Sequence, residues 1–307
     1  MVGGGSGGGR ASYVVPLLDA IKAKARRIGA RAVYLMDHET ISNGLFESIY
    51  PSLDICLVFL KTYSREAVDR GSYVADWTST IVVEEVSARC PGKTLVITHS
   101  AGLNTMPWAT NSNITGIFTA HLPGEETGNS IVEILCGHVN PSGRLPYTIA
   151  QNESDYNAPI VNLTGPQATE STAWQSDFVE GLMMDYRHFD NSNITPLYEF
   201  GFGLSYTTFD LSGKLVVSGP QGMLSKRPTP LTGMAPPGGN SDLWKVVANV
   251  STTVQNIGEL ASAIVVQLYL SLPSDSVPSG TPVRVLRGFE KVHRQAGLGR
   301  RRQSHSI

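Results

Sequence analysis

Long apolar runs are missing from this chain. None approaches the roughly 20 residues that a helix needs to cross a bilayer, so no membrane role is expected of its helices. Charge of one sign is missing as well: 24 Lys and Arg stand against 26 Asp and Glu, and both signs are thinly spread. That balance gives neither a basic face for nucleic acid nor a polybasic membrane patch, and the run Arg300 to Arg302 is short. A small neutral partner suits it better. Cysteine is scarce, with Cys56, Cys90 and Cys136 far apart and odd in number, which excludes a disulfide scaffold and a paired CxxC zinc site. Each lies in an apolar run or at a helix end, and core packing is expected of all three.

Several chemical signatures fail for want of one part. His38-Glu39 has Ser42 where a zinc-protease helix needs its second His, so no metal is expected there. The opening MVGGGSGGGR formally satisfies Gly3-x-Gly5-x-x-Gly8 and Gly4-x-Ser6-x-Gly8, but no strand precedes it to aim the turn, and no Gly-Lys-Ser/Thr comes after it. It reads as a flexible lead-in. His99 and His121 each end a strand-like run and read as polar termini, with a pocket role as the alternative.

What the chain does contain is a periodic first half. Leu18, Ile21, Ala25 and Ile28 recur at helical spacing between Pro16 and Gly29. Strand-like runs occupy 31–37, 54–60, 94–100 and 114–121, with helical patterns at 77–90 and 129–137 between or after them. In the first of these helices Val83, Val86 and Cys90 share a face. Strands apolar throughout and separated by helices are what a parallel sheet covered on both faces requires. Residues 1–150 are therefore expected to form an α/β sandwich domain, 151–204 a connecting segment without sustained period, and 205–307 an all-β sandwich. The Pro- and Gly-rich insert 227–242 is expected as a mobile loop.

The run LVFLKTYSREAVDR, 57–70, empties from a buried strand into a loop with Arg65, Glu66, Asp69 and Arg70. In open α/β sheets such carboxyl-end loops hold ligands, because the sheet fixes their roots. A carboxylic acid there can protonate a glycosidic oxygen and, once ionised, activate water. On the loop alone, a solvated cluster of paired charges is the better reading.

Longer strings resemble the family 3 glycoside hydrolases, specifically the secreted fungal β-glucosidases: VGGGSG (2–7), VFLKTYSREAVDR (58–70), AHLPGEETGNSIVEILCGHVNPSGRLPYTIA (120–150), MDYRHFD (184–190), YEFGFGLSYTTF (198–209) and PVRVLRGFEKV (282–292). The resemblance implies an α/β sandwich domain and then a fibronectin type III-like domain, the latter incomplete at its C-terminus. It implies that Glu66 is the acid/base, with Ser64, Asp69 and Arg70 matching the family's loop string, and that the nucleophile is an aspartate of a barrel domain that precedes these two. Arg65 and Ala67 stand where the family's loop has glycine, and the charge of Arg65 is expected to favour the ionised form of Glu66.

The implied reaction is retaining hydrolysis of terminal β-D-glucosyl units from cello-oligosaccharides or aryl glucosides, with no cofactor and no metal. Residues 1–307 by themselves are expected to be inactive. A non-catalytic carbohydrate-binding or scaffold module is the alternative. Sequons at Asn113, Asn152, Asn162, Asn193 and Asn249 point to secretion and glycosylation, although no signal peptide opens the chain. The Arg-rich end HRQAGLGRRRQSHSI lacks strand alternation, and a truncated or frame-shifted gene model is expected at both ends.

Overall fold

The computed structural model describes residues 5–46, 53–66, 70–161, 169–171, 173, 175, 177–211, 213–219, 227–297 and 301–306. Two compact units divide the chain. One comprises Met1–Val139, Leu145–Phe202 and Pro278–Pro282, and the other Asn140–Arg144, Gly203–Val277 and Val283–Ile307.

In the first unit β1 (Cys56–Lys61), β2 (Thr94–His99) and β3 (Ile114–Thr119) form a parallel sheet in that order. Buried side chains alternate with half-buried ones along β1, and nearly all of β2 is buried, as befits its central place. Val58, Leu60, Val96, Val83, Met106, Trp108 and Ile149 make one core. Removing each such aliphatic side chain from water contributes about 1.5–3 kcal/mol. Helix α3 (Ser79–Arg89) presents Val82 and Val83 to that core, Val86 packs against it, and Cys90 is buried at the helix end, which is the face its sequence spacing defines.

Helices α1 (Leu17–Arg27), α2 (His38–Ser42), α4 (Thr127–Leu135) and α5 (Tyr186–Ser192) complete the unit. Gly128 lets α4 approach the start of α1: a Cβ there would meet the Pro16 carbonyl oxygen at 2.6 Å and Ala20 Cβ at 2.9 Å. Asp185 caps α5, accepting from Tyr186 N–H at 2.6 Å, and also takes Thr148 N–H at 2.8 Å. That carboxylate ties α5 to the LPYTIA run.

Two expectations fail here. Residues 31–37 form no strand: Tyr34 is half-exposed under the Lys22 ammonium, 3.9 Å from its ring centroid, and Met36 is largely exposed. Apolar alternation marks a face, but a strand exists only through a ladder partner, and among the described residues no ladder includes this run. Cys56 and Cys90 are joined in a disulfide, with their Cα atoms 6.3 Å apart, and Cys136 is exposed. The fold brings the start of β1 to the end of α3, a proximity that a separation of 34 residues conceals.

The second unit is antiparallel. β4 (Phe209–Asp210) and β5 (Val216–Ser218) pair with different stretches of β6 (Asn249–Asn256), at Gln255–Asn256 and Asn249–Ser251, while β7 (Ser262–Leu270) pairs with β8 (Val285–Arg294). Fully buried Asn256 accepts from Thr207 Oγ1 at 2.8 Å and Gly258 N–H at 3.0 Å and donates to the Leu260 carbonyl at 2.7 Å, fastening the β6–β7 turn. The insert between β5 and β6 closes on itself, with Asp242 accepting from Thr229 N–H at 2.7 Å and Asn240 donating to the Thr229 carbonyl at 2.6 Å. Contrary to the reading of the Arg-rich end, Arg301–Ser306 forms β9, antiparallel to β6. Ladder bonds join backbones, so a free strand edge accepts a polar segment that carries no apolar alternation.

Candidate active-site loop

Because the sheet is parallel, β1, β2 and β3 all deliver their carboxyl ends to one edge, and the segment that leaves Lys61 begins there. Its root is held by backbone bonds. Thr62 N–H donates to the His99 carbonyl at 2.9 Å, and Asp76 N–H donates to the Lys61 carbonyl at 3.2 Å. The Asp76 carboxylate accepts from Tyr63 N–H at 2.6 Å, and Lys61 lies 4.3 Å from the Trp77 ring centroid.

The far root is anchored by Arg70. Its half-buried guanidinium donates to the Leu103 carbonyl at 2.8 Å and the Tyr73 carbonyl at 3.0 Å, with the Tyr73 ring 5.8 Å away. Asn104 donates to Thr62 Oγ1 at 2.9 Å and to the Tyr73 carbonyl at 3.2 Å, so it bridges the two roots. Glu153 accepts from Tyr73 N–H at 2.5 Å and Val74 N–H at 3.2 Å and continues the anchorage. Arg70 matches the loop string, and its side chain is engaged with main-chain carbonyls. Ser64 is half-buried on the same segment, and Asp69 lies outside the described residues.

Glu66 is exposed, and its Oε2 accepts Ser6 N–H at 2.7 Å and also the Ser6 hydroxyl. These bonds hold its carboxyl below the ordinary value, the hydroxyl contributing most and the N–H next, with partial desolvation opposing them. The depression therefore originates in Ser6, where sequence reasoning looked to Arg65. The glycine-rich opening is thus no loose lead-in at this point. Gly5–Gly7 is a 3-10 turn, and Gly5 has φ +68°, a conformation that glycine adopts without strain. Sequence reasoning missed Ser6 because 60 residues separate it from Glu66.

His99, at the end of β2, is buried, and among the described residues its buried Nε2 has no hydrogen-bond partner. Burial lowers its pKa to about 4. A histidine shifted down in this way contributes stability that is present above about pH 6.5 and lost as pH falls toward 4, because the unfolded chain then binds the proton more readily. The full loss amounts to about 3 kcal/mol at ~1.4 kcal/mol per pH unit. Urea midpoints should fall between pH 6.5 and 4 and flatten in His99→Gln; an unchanged slope in that variant contradicts the assignment. His121, at the end of β3, has φ +51°, and its ring packs edge-on to Tyr147 with centroids 5.6 Å apart.

Among the described residues no group of three or more His, Cys, Asp or Glu side chains converges as a metal site. Of the sequon asparagines, Asn152, Asn193 and Asn249 are exposed, Asn113 is half-buried, and Asn162 lies outside the described residues.

A parallel α/β unit with a carboxylate-bearing loop at its carboxyl edge, joined in sequence to an antiparallel unit, defines the class. The Glycosyl hydrolase family 3 C-terminal domain matches residues 1–206, and a Fibronectin type III-like domain matches 264–302. The chain belongs to the family 3 glycoside hydrolases. It is 48% identical over 293 residues to the probable β-glucosidase G of Aspergillus flavus, covering 94% of this chain and 35% of that protein. The crystal structure of β-D-glucoside glucohydrolase from Trichoderma reesei superposes with a TM-score of 0.83 at 34% identity, covering 100% of this chain and 41% of that one. DesR, a β-glucosidase from Streptomyces venezuelae in complex with D-glucose, gives 0.59 at 27%, covering 82% and 28%. The chain spans about a third of the length of the curated relatives it matches.

Proposed function

We propose that the chain carries the general acid/base of a retaining β-glucosidase that removes terminal, non-reducing β-D-glucosyl units from cello-oligosaccharides and aryl glucosides. The observation that carries this reading is the placement of Glu66 on the carboxyl-edge loop of a parallel sheet in a family 3 chain, with both loop roots fastened by Thr62, Asp76, Asn104 and Arg70. Retention requires a second carboxyl group about 5–5.5 Å from the first, on the opposite face of the sugar. Asp69 is a poor candidate because it belongs to the same loop as Glu66. The nucleophile is assigned instead to a barrel aspartate outside residues 1–307.

In the first step Glu66 gives its proton to the glycosidic oxygen as the C–O bond breaks and the aspartate bonds to the anomeric carbon. In the second it takes a proton from water as water displaces the aspartate, so the residue ends as it began. Ser64 and Arg70 serve the loop that presents it. A secreted, glycosylated protein is part of the proposal; the Cys56–Cys90 bridge supports an oxidising compartment, and Asn152, Asn193 and Asn249 are accessible for modification.

The test is release of nitrophenol from p-nitrophenyl β-D-glucoside. Residues 1–307 alone should give no turnover, and the same residues joined to a family 3 barrel should give turnover. Appreciable release by 1–307 alone would overturn the placement of the nucleophile. Sugar binding without hydrolysis after joining would favour a carbohydrate-binding module.

A further inference from the structure

We propose that Ser6, on the glycine-rich turn Gly5–Gly7, is the positioning residue of the Glu66 carboxyl and determines which of its two oxygens carries the transferable proton. The inference rests on the acid/base reading of Glu66. Both Ser6 donors fall on a single oxygen, Oε2: the backbone N–H at 2.7 Å and the side-chain hydroxyl. A hydroxyl can rotate to accept, but a backbone N–H can only donate. A carbonyl oxygen accepts better than the hydroxyl oxygen of a carboxylic acid, so while the N–H bond to Oε2 stands the acid form favours its proton on Oε1. Proton donation and recovery then occur at one defined atom.

The turn is built to approach this closely. A Cβ added to Gly5 would lie 2.4 Å from Glu66 Cβ, 3.0 Å from Glu66 N and 3.0 Å from Oε2. No other residue fits at position 5 without displacing the turn from the carboxyl, and the positive φ adds strain for any L side chain. The Gly8 N–H closes the turn on the Gly5 carbonyl at 3.0 Å. Two donors on the ionised form also favour the carboxylate, the form with which the water-activating step starts, over the acid form that the protonating step needs.

The experiment is a carboxyl ¹³C titration of Glu66 in residues 1–307, assigned with Glu66→Gln. It reads the contact without requiring hydrolysis, so its failure is separate from a failure of the acid/base role. Ser6→Ala should move the Glu66 midpoint upward, since the hydroxyl is the larger cause of the depression. Ser6→Thr, which keeps both donors, should leave it in place. Gly5→Ala, which displaces the whole turn, should move it upward at least as far as Ser6→Ala. A departure of any of the three from this pattern overturns the proposal.

Discussion

Glu66→Ala, in residues 1–307 joined to a family 3 barrel, should lower kcat/KM for cellobiose by about 10²–10⁴-fold, the usual contribution of a positioned acid/base. The loss should depend on the leaving group. A glucose leaving group departs as a strongly basic alkoxide unless it is protonated, whereas dinitrophenolate needs no proton, so the first step with a dinitrophenyl glucoside should be nearly unaffected. The second step then becomes slow, because water at the glycosyl–aspartate intermediate has lost its base. Azide is already anionic and requires no deprotonation, and it should restore turnover and yield β-glucosyl azide. Steady-state kinetics across a leaving-group series, with azide and product analysis, provide the check. A uniform loss across leaving groups without azide rescue removes Glu66 from the role.

Reduction of Cys56–Cys90 should cost the first unit about 4 kcal/mol, the chain-entropy value for closing a loop of this length. The bridge joins the first residue of β1 to the residue that ends α3, so its loss frees a segment that contains the entire Glu66 loop. Urea denaturation of the wild-type chain with and without reductant reads the effect. The Cys56→Ala/Cys90→Ala double variant should resemble the reduced wild type and ignore reductant. A wild type indifferent to reductant refutes the expectation.

The parallel sheet was legible because its three strands are apolar strings of ordinary length, bounded by Lys93 before β2 and by charged or polar residues after β1. Residues 31–37 carry the same composition, yet no ladder includes them among the described residues, since pairing is a property of neighbours and not of a string. The limit is the same at the site. Glu66 could be singled out from its loop and from the family resemblance, but Ser6 could not, because nothing local in GGGSGG specifies a carboxylate 60 residues away. The cysteine pairing was hidden for that reason too: scarcity and odd number argue against a scaffold and are silent on a single bridge. Arg70 was visible as part of a motif, while its attachment to the Leu103 and Tyr73 carbonyls emerges only from the folded chain.

β1 is six residues long and has unlike termini: one is cross-linked to Cys90, and the other opens into the segment bearing Glu66. Covalent attachment fixes the first terminus to the end of α3, while the backbone ladder with β2 sets its register. The segment between the fastened roots at Thr62 and Arg70 is accordingly free to differ in length and composition without altering the ladder behind it.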